Sequence, residues 1–361
     1  MENQKKSSSL KTVSTILLSI AFAALFMWFA LKGLDFTNIK ASLAKANYLW
    51  VFAAMIFGLL AYWFRAVRWN LLLEPMGYQI SNSNSLWTIS FGYLMNLTIP
   101  RSGELARSTA LYGVEKVPVD KSFGTIILER VVDLACMLGF LALTLVFKYD
   151  AIFSFYKFVT EEKKKKVKFE PNLFEKFMMK FGVTDFDAFY FYLKISFLIV
   201  ILIALIAIYI YKKEKLIEFA KGIFHGLTTI FKLKQKVKFI LLSIAIWVAY
   251  YLAAYLVCFA LPETSSFTFA DGFFLIVVGT LGMMVPASGG IGAFHLAMKL
   301  GISALFLSMG KDAKLGGEVG LSYAFISHTM QLVIMLVMGL ISIPMLAKAR
   351  NEAVKSKEIS Q

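Results

Sequence analysis

Two short apolar stretches decide the fold: residues 86–104 read LWTISFGYLMNLTIPRSGE, and residues 270–290 read ADGFFLIVVGTLGMMVPASGG. Their apolar parts, 86–99 and 270–285, would form about 21 Å and about 24 Å of helix. Both lengths fall short of the ~30 Å hydrocarbon core of a bilayer. In both stretches proline, any residue, serine and glycine follow the apolar part. The pattern therefore predicts two helices that proline and glycine break inside a membrane.

The repeated break predicts an inverted repeat with a binding site where the two halves meet. Short apolar segments interrupted by proline or glycine at corresponding positions are typical of transporters of that design. Three full spans are predicted between the two segments. Because three is an odd number, re-entrant hairpins at these positions would enter from opposite faces of the membrane. The alternatives are two unrelated helix kinks, or two ordinary short spans in an eight-helix protein.

The composition indicates that the whole chain is a membrane protein. Of its 361 residues, 58% are apolar and 17% are charged, against about 45–50% and 25% in soluble domains. This excludes a soluble enzyme, a secreted disulfide scaffold and a disordered protein. Six further apolar runs are long enough to span, at 13–31, 48–64, 123–147, 193–211, 239–261 and 320–346. We predict an all-α polytopic protein with about six full spans and two re-entrant segments, or about eight hydrophobic units.

The net charge of +15 predicts an anionic lipid surface as a partner, because basic residues flank the apolar runs. We predict no nucleic-acid partner. The positive-inside rule favours cytoplasmic termini, and we expect the inner membrane of a bacterium. One transmembrane domain at 13–346 is expected between cytosolic tails at 1–12 and 347–361. Within it, 148–192 is predicted to be an extramembrane loop, and 212–238 a basic interfacial helix or an exposed linker helix.

The densest polar cluster surrounds the first break. Charged residues beside a short membrane segment are expensive, so they usually face a cavity or pair with one another. We predict that Ser102 caps the helix that follows, which leaves the free N–H groups and Arg101 facing an anion. The alternative is a cytoplasmic turn with a simple Glu104–Arg107 pair. Asn96 belongs to the same cluster.

A second cluster lies at the start of a predicted span. Glu129 and Asp133 are four residues apart and share a helix face, whereas Arg130 points elsewhere around the helix. Ionisable groups inside a span are functional candidates by default. The alternative is an interfacial ion-pair cluster that only anchors the helix.

Arg65 and Arg68 stand with Trp63 and Trp69 near the end of the second predicted span. Tryptophan and basic residues are typical of the membrane interface, so we predict that these residues are interfacial anchors. The alternative is that the two arginines bind the phosphate of a lipid headgroup.

The second break is rich in glycine. Ser288, Gly289, Gly290, Gly292 and His295 do not carry the Gly-x-Gly-x-x-Gly spacing of a dinucleotide site, so the glycines are expected to let the backbone turn. His295 is predicted either to titrate or bond a substrate or to be a packed, satisfied polar residue. The three histidines show no metal-ligand spacing, and no catalytic signature is present. We predict no catalytic residue, no metal and no cofactor.

Together these motifs resemble the lysylphosphatidylglycerol synthase transmembrane, or flippase-like, family, over roughly residues 10–345. The residues that carry the resemblance are Arg65-x-x-Arg68-Trp69, Asn96-x-x-x-Pro100-Arg101-x-Gly103-Glu104-x-x-Arg107, Glu129-Arg130-x-x-Asp133 and Pro286-x-x-Gly289-Gly290-x-Gly292-x-Phe294. The resemblance implies a membrane domain that moves lipid between leaflets, without the separate domain that makes aminoacylated lipid in bifunctional members. Many members carry Glu in place of His295 and an extra residue between Pro100 and Arg101. Because of these two differences, the resemblance does not identify the lipid that is the substrate.

The expected function is movement of an anionic, aminoacylated or polyprenyl-phosphate lipid between the leaflets of the membrane. The expected substrate-binding residues are Arg65, Arg68, Asn96, Arg101, Ser102, Glu104, Arg107, Glu129, Arg130, Asp133, Ser288 and His295. The breaks are expected at Pro100, Gly103, Pro286, Gly289, Gly290 and Gly292. One alternative is a membrane transferase that acts on a lipid carrier, with Glu129 or Asp133 as its base. The other is a non-catalytic partner that docks a cytosolic lipid-modifying enzyme through 212–238.

Overall fold

The computed structural model describes residues 36–165, 228–285 and 287–359, with the single residues 28, 179, 217, 221 and 224. Within these residues the predicted all-α fold is confirmed, since they form helices and no strand. The chain divides into one unit made of Met1–Phe158 and Ile223–Gln361 and a second unit, Val159–Gly222. Apart from the end of α6, Tyr149–Lys165, the described helices belong to the first unit.

Ten α-helices have described bounds. They are α1 Phe36–Lys45, α2 Tyr48–Leu73, α3 Asn82–Thr98, α4 Gly103–Glu115, α5 Val119–Phe147, α6 Tyr149–Lys165, α7 Lys236–Cys258, α8 Phe269–Met284, α9 Ala293–Ser308 and α10 Ala313–Ile359. Short 3-10 turns occupy Glu74–Met76, Thr229–Lys232 and Ser288–Gly290.

Five described segments are long and apolar enough to cross a membrane: Tyr48–Met76, Val119–Phe147, Lys236–Cys258, Ser288–Ser308 and Ala313–Ala353. Four of them overlap the runs predicted at 48–64, 123–147, 239–261 and 320–346. The sequence does not predict the Ser288–Ser308 segment, because the glycines at its start interrupt the apolar run. The runs at 13–31 and 193–211 lie outside the described residues.

The secondary structure of three predicted segments adds detail to the prediction, and their position relative to the membrane stays a prediction. Part of the predicted loop 148–192 is helical, because α6 covers Tyr149–Lys165. The described end of the predicted interfacial helix 212–238 is a 3-10 turn followed by the first residues of α7. Helix α10 continues through most of the predicted tail 347–361 to Ile359.

The two short apolar stretches form helical hairpins. Helix α3 begins before the apolar run, because Ser81 Oγ accepts a hydrogen bond from Asn84 N at 3.1 Å and caps it. It packs closely on α4: a Cβ added to Gly92 would lie 2.7 Å from Gly103 O. Helices α8 and α9 approach in the same way, since a Cβ on Gly282 would lie 2.7 Å from Ala297 Cβ.

Helices α2, α5 and α7 form the frame beside the first hairpin. Helix α2 runs antiparallel to α7: Asn47 N donates to Ala260 O at 2.8 Å at one end, and Glu74 Oε1 lies 3.9 Å from Lys234 Nζ at the other. Helix α5 runs in the same direction as α7: Val132 and Cys136 line one groove with Ile240 and Ile244, and Phe140 stacks on Trp247 further along both helices. The starts of α5 and α7 and the end of α2 therefore share one side of the bundle.

Candidate functional site

The first break is a turn that side chains of α3 hold in place. Asn96 Oδ1 accepts a hydrogen bond from Gly103 N at 2.8 Å and so caps α4. The prediction that Ser102 supplies this cap is wrong. The Ser102 hydroxyl donates instead to Ile99 O at 2.8 Å and to Met95 O at 3.1 Å. Ser102 thus satisfies carbonyl groups at the end of α3, whereas Asn96 caps the start of α4.

The structure brings the two breaks into contact. Arg101 has a φ of 62°, which is unusual for a residue with a side chain, and its Nη2 donates to Met284 O at the end of α8. Gly289 has a φ of 59°, and a Cβ there would lie 3.0 Å from Leu97 Cδ2 on α3. Pro286 lies outside the described residues.

Beside the first break, α2, α4 and α5 supply a buried network of ion pairs. Asp133 Oδ2 lies 2.8 Å from Arg65 Nη2, and Asp133 Oδ1 lies 2.9 Å from Arg68 Nη1. Glu129 Oε2 lies 2.7 Å from Arg107 Nη1, and Glu129 Oε1 lies 3.5 Å from Arg68 Nη2. All five side chains are buried, and Arg68 is wholly inaccessible. The spacing that puts Glu129 and Asp133 on one helix face therefore serves to hold arginines from two other helices.

The prediction that Arg65 and Arg68 are interfacial anchors is wrong, because both side chains point into the bundle. Trp69 is buried with them: its Nε1 donates to Thr125 Oγ1 at 2.9 Å. The Arg107 guanidinium stacks 3.5 Å from the centroid of the Trp69 ring. Trp63, which the sequence places beside these residues, faces outward instead.

Two partners of the network come from α7 and were missed in the sequence. The Arg65 Nε donates to Tyr250 Oη at 2.6 Å, and Arg68 Nη1 donates to Ser243 Oγ at 3.3 Å. Nothing in the spacing around Arg65 points to residues so far along the chain. Their only local signal is that Ser243 and Tyr250 are polar residues within a predicted span, where such residues are commonly buried against other helices.

The accessible edge of the network is formed by Arg130 and Glu104. The Arg130 side chain is 45% exposed, and its Nη2 lies 3.1 Å from Glu104 Oε1. Its Nη1 lies 3.7 Å from Asp133 Oδ2. The simple Glu104–Arg107 pair suggested by the spacing is therefore replaced by a contact across two helices, and Arg107 turns inward to Glu129 instead. Arg101 is also exposed.

The network is electrically unbalanced. It joins four arginines, at 65, 68, 107 and 130, to three carboxylates, at 104, 129 and 133. Among the described residues, Nε of Arg68 and both Nε and Nη2 of Arg107 are buried without an acceptor. Arginine is not deprotonated in proteins, so each of these side chains carries a positive charge. Within the described part of the chain, the network therefore has one more arginine than carboxylate, and three of its arginine N–H groups lack an acceptor.

With this geometry in place, comparison with known proteins is informative. The family described as the lysylphosphatidylglycerol synthase TM region matches residues 16–339. The chain belongs to this family. A UPF0104 membrane protein of Methanocaldococcus jannaschii is 32% identical over 132 residues, which cover 36% of this chain and 39% of that relative. The match thus spans about two fifths of the relative's length. No solved structure matches the chain.

Membership in the lysylphosphatidylglycerol synthase TM family and the five apolar helices show that the chain is an integral membrane protein. The four motifs that resemble the family are distant in sequence but adjacent in the structure. Residues of the first three motifs form the ion-pair network, and the turn of the second motif contacts the end of α8, just before the fourth. The motifs that carry the family resemblance therefore form one cluster in space.

The second break is built differently. His295 is buried, its ring centroid lies 4.8 Å from that of Phe325 and 5.2 Å from that of His328, and its Nδ1 has no hydrogen-bond partner among the described residues. Ser288 is buried in the turn. Positive φ values at Gly289, Gly290 and Gly292 make that turn possible. No described contact joins His295 to the network, so the structure groups it with aromatic packing.

The described residues contain no group of three or more histidine, cysteine, aspartate or glutamate side chains arranged to hold a metal ion. The two cysteines, Cys136 and Cys258, are free thiols. The chemistry that the described site offers is therefore that of arginine and carboxylate charges beside two broken helices.

Proposed function

We propose that this protein moves a lipid with an anionic phosphate, such as an anionic, aminoacylated or polyprenyl-phosphate lipid, between the leaflets of the membrane. The observation that carries the proposal is the excess of arginine over carboxylate in a buried network that adjoins two broken helices. A buried charge without a counter-charge is expensive in a membrane. A lipid phosphate would balance it.

The two exposed arginines are the first contacts for such a phosphate. Among the described residues, Arg130 is held only by Glu104 at 3.1 Å and by Asp133 at 3.7 Å, so a phosphate can replace Glu104 as its partner. Arg101 lies in the turn between α3 and α4 and faces the end of α8. Arginine binds phosphate through paired hydrogen bonds. Arg65, Arg68 and Arg107 then supply a positive field from within, held in place by Glu129 and Asp133.

The transport proposal includes a topology of six spans and two re-entrant hairpins related as an inverted repeat in a single transmembrane domain. The supporting observations are the matching hairpins α3–α4 and α8–α9 and the contact between their breaks. The common direction of α5 and α7 is a further supporting observation. We further propose both termini in the cytoplasm of a bacterial cell, and alternating access by rocking of the repeats.

We propose that transport needs no covalent chemistry by this chain. A transferase would require Glu129 or Asp133 as a free base, yet each is bound by two arginines at 3.5 Å or less. A base so tightly paired with cations is a weak proton acceptor. The alternative of docking a cytosolic enzyme depends on 212–238, and 13 of these 27 residues lie outside the described part of the chain.

A leaflet-exchange assay tests the proposal. Purified protein is reconstituted into liposomes that hold trace fluorescent lipids with different headgroups, and a membrane-impermeant quencher reports how much label reaches the outer leaflet. We expect exchange for lipids with an exposed phosphate charge. Arg101→Ala and Arg130→Ala should each slow it at least about tenfold, because a charge-assisted hydrogen bond contributes about 1.5–3 kcal/mol.

Lys314→Ala is the matched control, because Lys314 is an exposed cation at the start of α10. It should leave the exchange rate unchanged. Wild-type exchange no faster than in protein-free liposomes across the panel, or equal slowing by all three variants, would count against the proposal.

A further inference from the structure

An apolar groove separate from the breaks lies between α5 and α7. It has a volume of about 410 Å³, within the range of pockets that hold small molecules. Val132 and Cys136 line it from α5, and Ile240 and Ile244 from α7. From Lys236 to Ile244 the groove extends over about 12 Å of helix, and we call its Lys236 end the mouth. The long axis of the groove is therefore parallel to the helices.

The groove opens toward lipid rather than toward water. Both of its walls belong to segments that are long and apolar enough to span a membrane. Ile240 and Ile244 are each more than half exposed, and in a membrane protein such exposed apolar side chains face hydrocarbon. The occupant that can reach the groove is therefore an acyl chain.

The mouth of the groove is strongly basic. Four exposed lysines, Lys232, Lys234, Lys236 and Lys238, alternate along seven residues at the entrance to α7. Lys236 also lines the groove. Each lysine near an anionic membrane surface contributes an attraction to that surface. The groove thus joins an apolar channel to a cationic entrance, which is the complement of an anionic phospholipid.

The inner wall of the groove borders the ion-pair network. Ser243 lines the groove and accepts a hydrogen bond from Arg68 Nη1 at 3.3 Å. Phe239 lines it as well, and the Arg68 guanidinium lies 5.9 Å from the centroid of its ring. Ser243 and Phe239 therefore lie both on the groove and against Arg68.

We propose that this groove is a binding site for one anionic phospholipid, with an acyl chain between α5 and α7 and the phosphate on Lys236. The inference goes beyond the proposed transport, since it holds whether or not the bound lipid is the cargo. It assigns a role to the lysines at 232–238, which the transport site does not use.

Photo-crosslinking of the full-length protein in vesicles tests the proposal. The probes are phosphatidylglycerol and phosphatidylcholine that carry the same diazirine-labelled acyl chain, and peptide mass spectrometry locates the crosslinks. We expect phosphatidylglycerol to label residues 132–136 and 240–244 about fivefold more than phosphatidylcholine does, the ratio expected for one lysine–phosphate attraction at the surface. On the lipid-exposed face of α10, at Leu336 and Leu340, the two probes should label equally.

Two variants address the two halves of the site. Lys236→Ala should remove the preference for phosphatidylglycerol, whereas Lys314→Ala should keep it. Ala135→Phe should fill the groove and lower labelling by both lipids there. Lys236 is exposed, so its variant tests the proposal even if Ala135→Phe fails to fold.

Equal labelling by both lipids in the wild type, or a preference that survives Lys236→Ala, would overturn the groove proposal. Repeating the experiment on Arg130→Ala separates the two proposals. That variant should lose lipid exchange and retain the groove crosslinks. If the wild type shows no lipid exchange but keeps the groove crosslinks, the transport proposal fails and the groove proposal stands. If it exchanges lipid but shows no preference in the crosslinks, the groove proposal fails and the transport proposal stands.

Discussion

The two breaks share one sequence pattern but differ in what holds them. At the first break, Asn96 caps the next helix and Arg101 bridges to α8, with an ion-pair network alongside. At the second, glycines with positive φ make the turn, and His295 packs among aromatic rings. Proline, serine and glycine thus specify where a helix stops. The residues around them specify whether the break carries charge.

This difference suggests unequal roles for the two hairpins. Under the proposed function, the charged break selects a ligand by its phosphate, because its arginines outnumber its carboxylates. The glycine-rich break carries no such excess and leads into α9, whose candidate span is more buried than the other four. We interpret the glycine-rich break as a packed surface beside the charged break, without a charged group for the ligand.

The largest expected effect comes from breaking the network beside the first break. Glu129→Gln removes the charge that Arg68 and Arg107 share while leaving both cations buried. We expect a loss of about 3–5 kcal/mol of stability, the usual cost of removing one partner of a buried ion pair. Thermal unfolding in detergent measures it. Glu74→Gln, at the exposed 3.9 Å contact with Lys234, is the control, and a comparable loss there would contradict the comparison.

A substitution at the second break should act through the backbone instead of charge. Gly289→Ala places a side chain at a φ of 59° and 3.0 Å from Leu97 Cδ2. We expect a loss of about 1–2 kcal/mol, the cost of a left-handed conformation for a residue with a Cβ. Gly139→Ala in α5 is matched to it, since a Cβ there meets nothing within 4 Å. Unfolding measurements should show that variant unchanged or slightly more stable.

The assignment of the α4 cap can be tested within the first break. Asn96→Ala removes the acceptor of the Gly103 N–H and should cost about 1 kcal/mol of stability. Ser102→Ala removes only a donor to the last carbonyls of α3, so it should cost less. The reverse order of the two unfolding midpoints would restore Ser102 as the cap.

The smallest expected effect on stability is at the exposed edge of the network. Arg130→Ala should cost less than about 1 kcal/mol, since partly exposed ion pairs contribute little. The same variant should slow lipid exchange at least about tenfold, as argued above. Parallel measurement of unfolding and exchange would show whether the first break separates stability from function, and a large loss of both would deny that separation.

The features that were predictable from sequence are those that act locally. Apolar runs mark spans, and Pro100 with Gly103 marks a helix end, because proline and glycine act on their own backbone. The partners of Arg65 and Arg68 could not be predicted, because Asp133 and Ser243 come from helices far along the chain. The cap at Gly103 was misassigned for a related reason. Serine at the N-cap position is statistically favoured, but Asn96 reaches the same N–H from the preceding helix.

The contact between Lys148 and Asp271 has a consequence for motion. Lys148 Nζ, at the end of α5, lies 2.7 Å from Asp271 Oδ1, and Asp271 Oδ2 accepts a hydrogen bond from Thr268 N at the start of α8. From this contact α5 extends about 22 Å to Asp133, and α8 extends about 20 Å to Met284. The two helices are therefore fastened at the ends remote from the network and the breaks. If the two helices tilt against each other, the pivot lies at Lys148 and Asp271. The helix ends beside the arginines are then displaced the most.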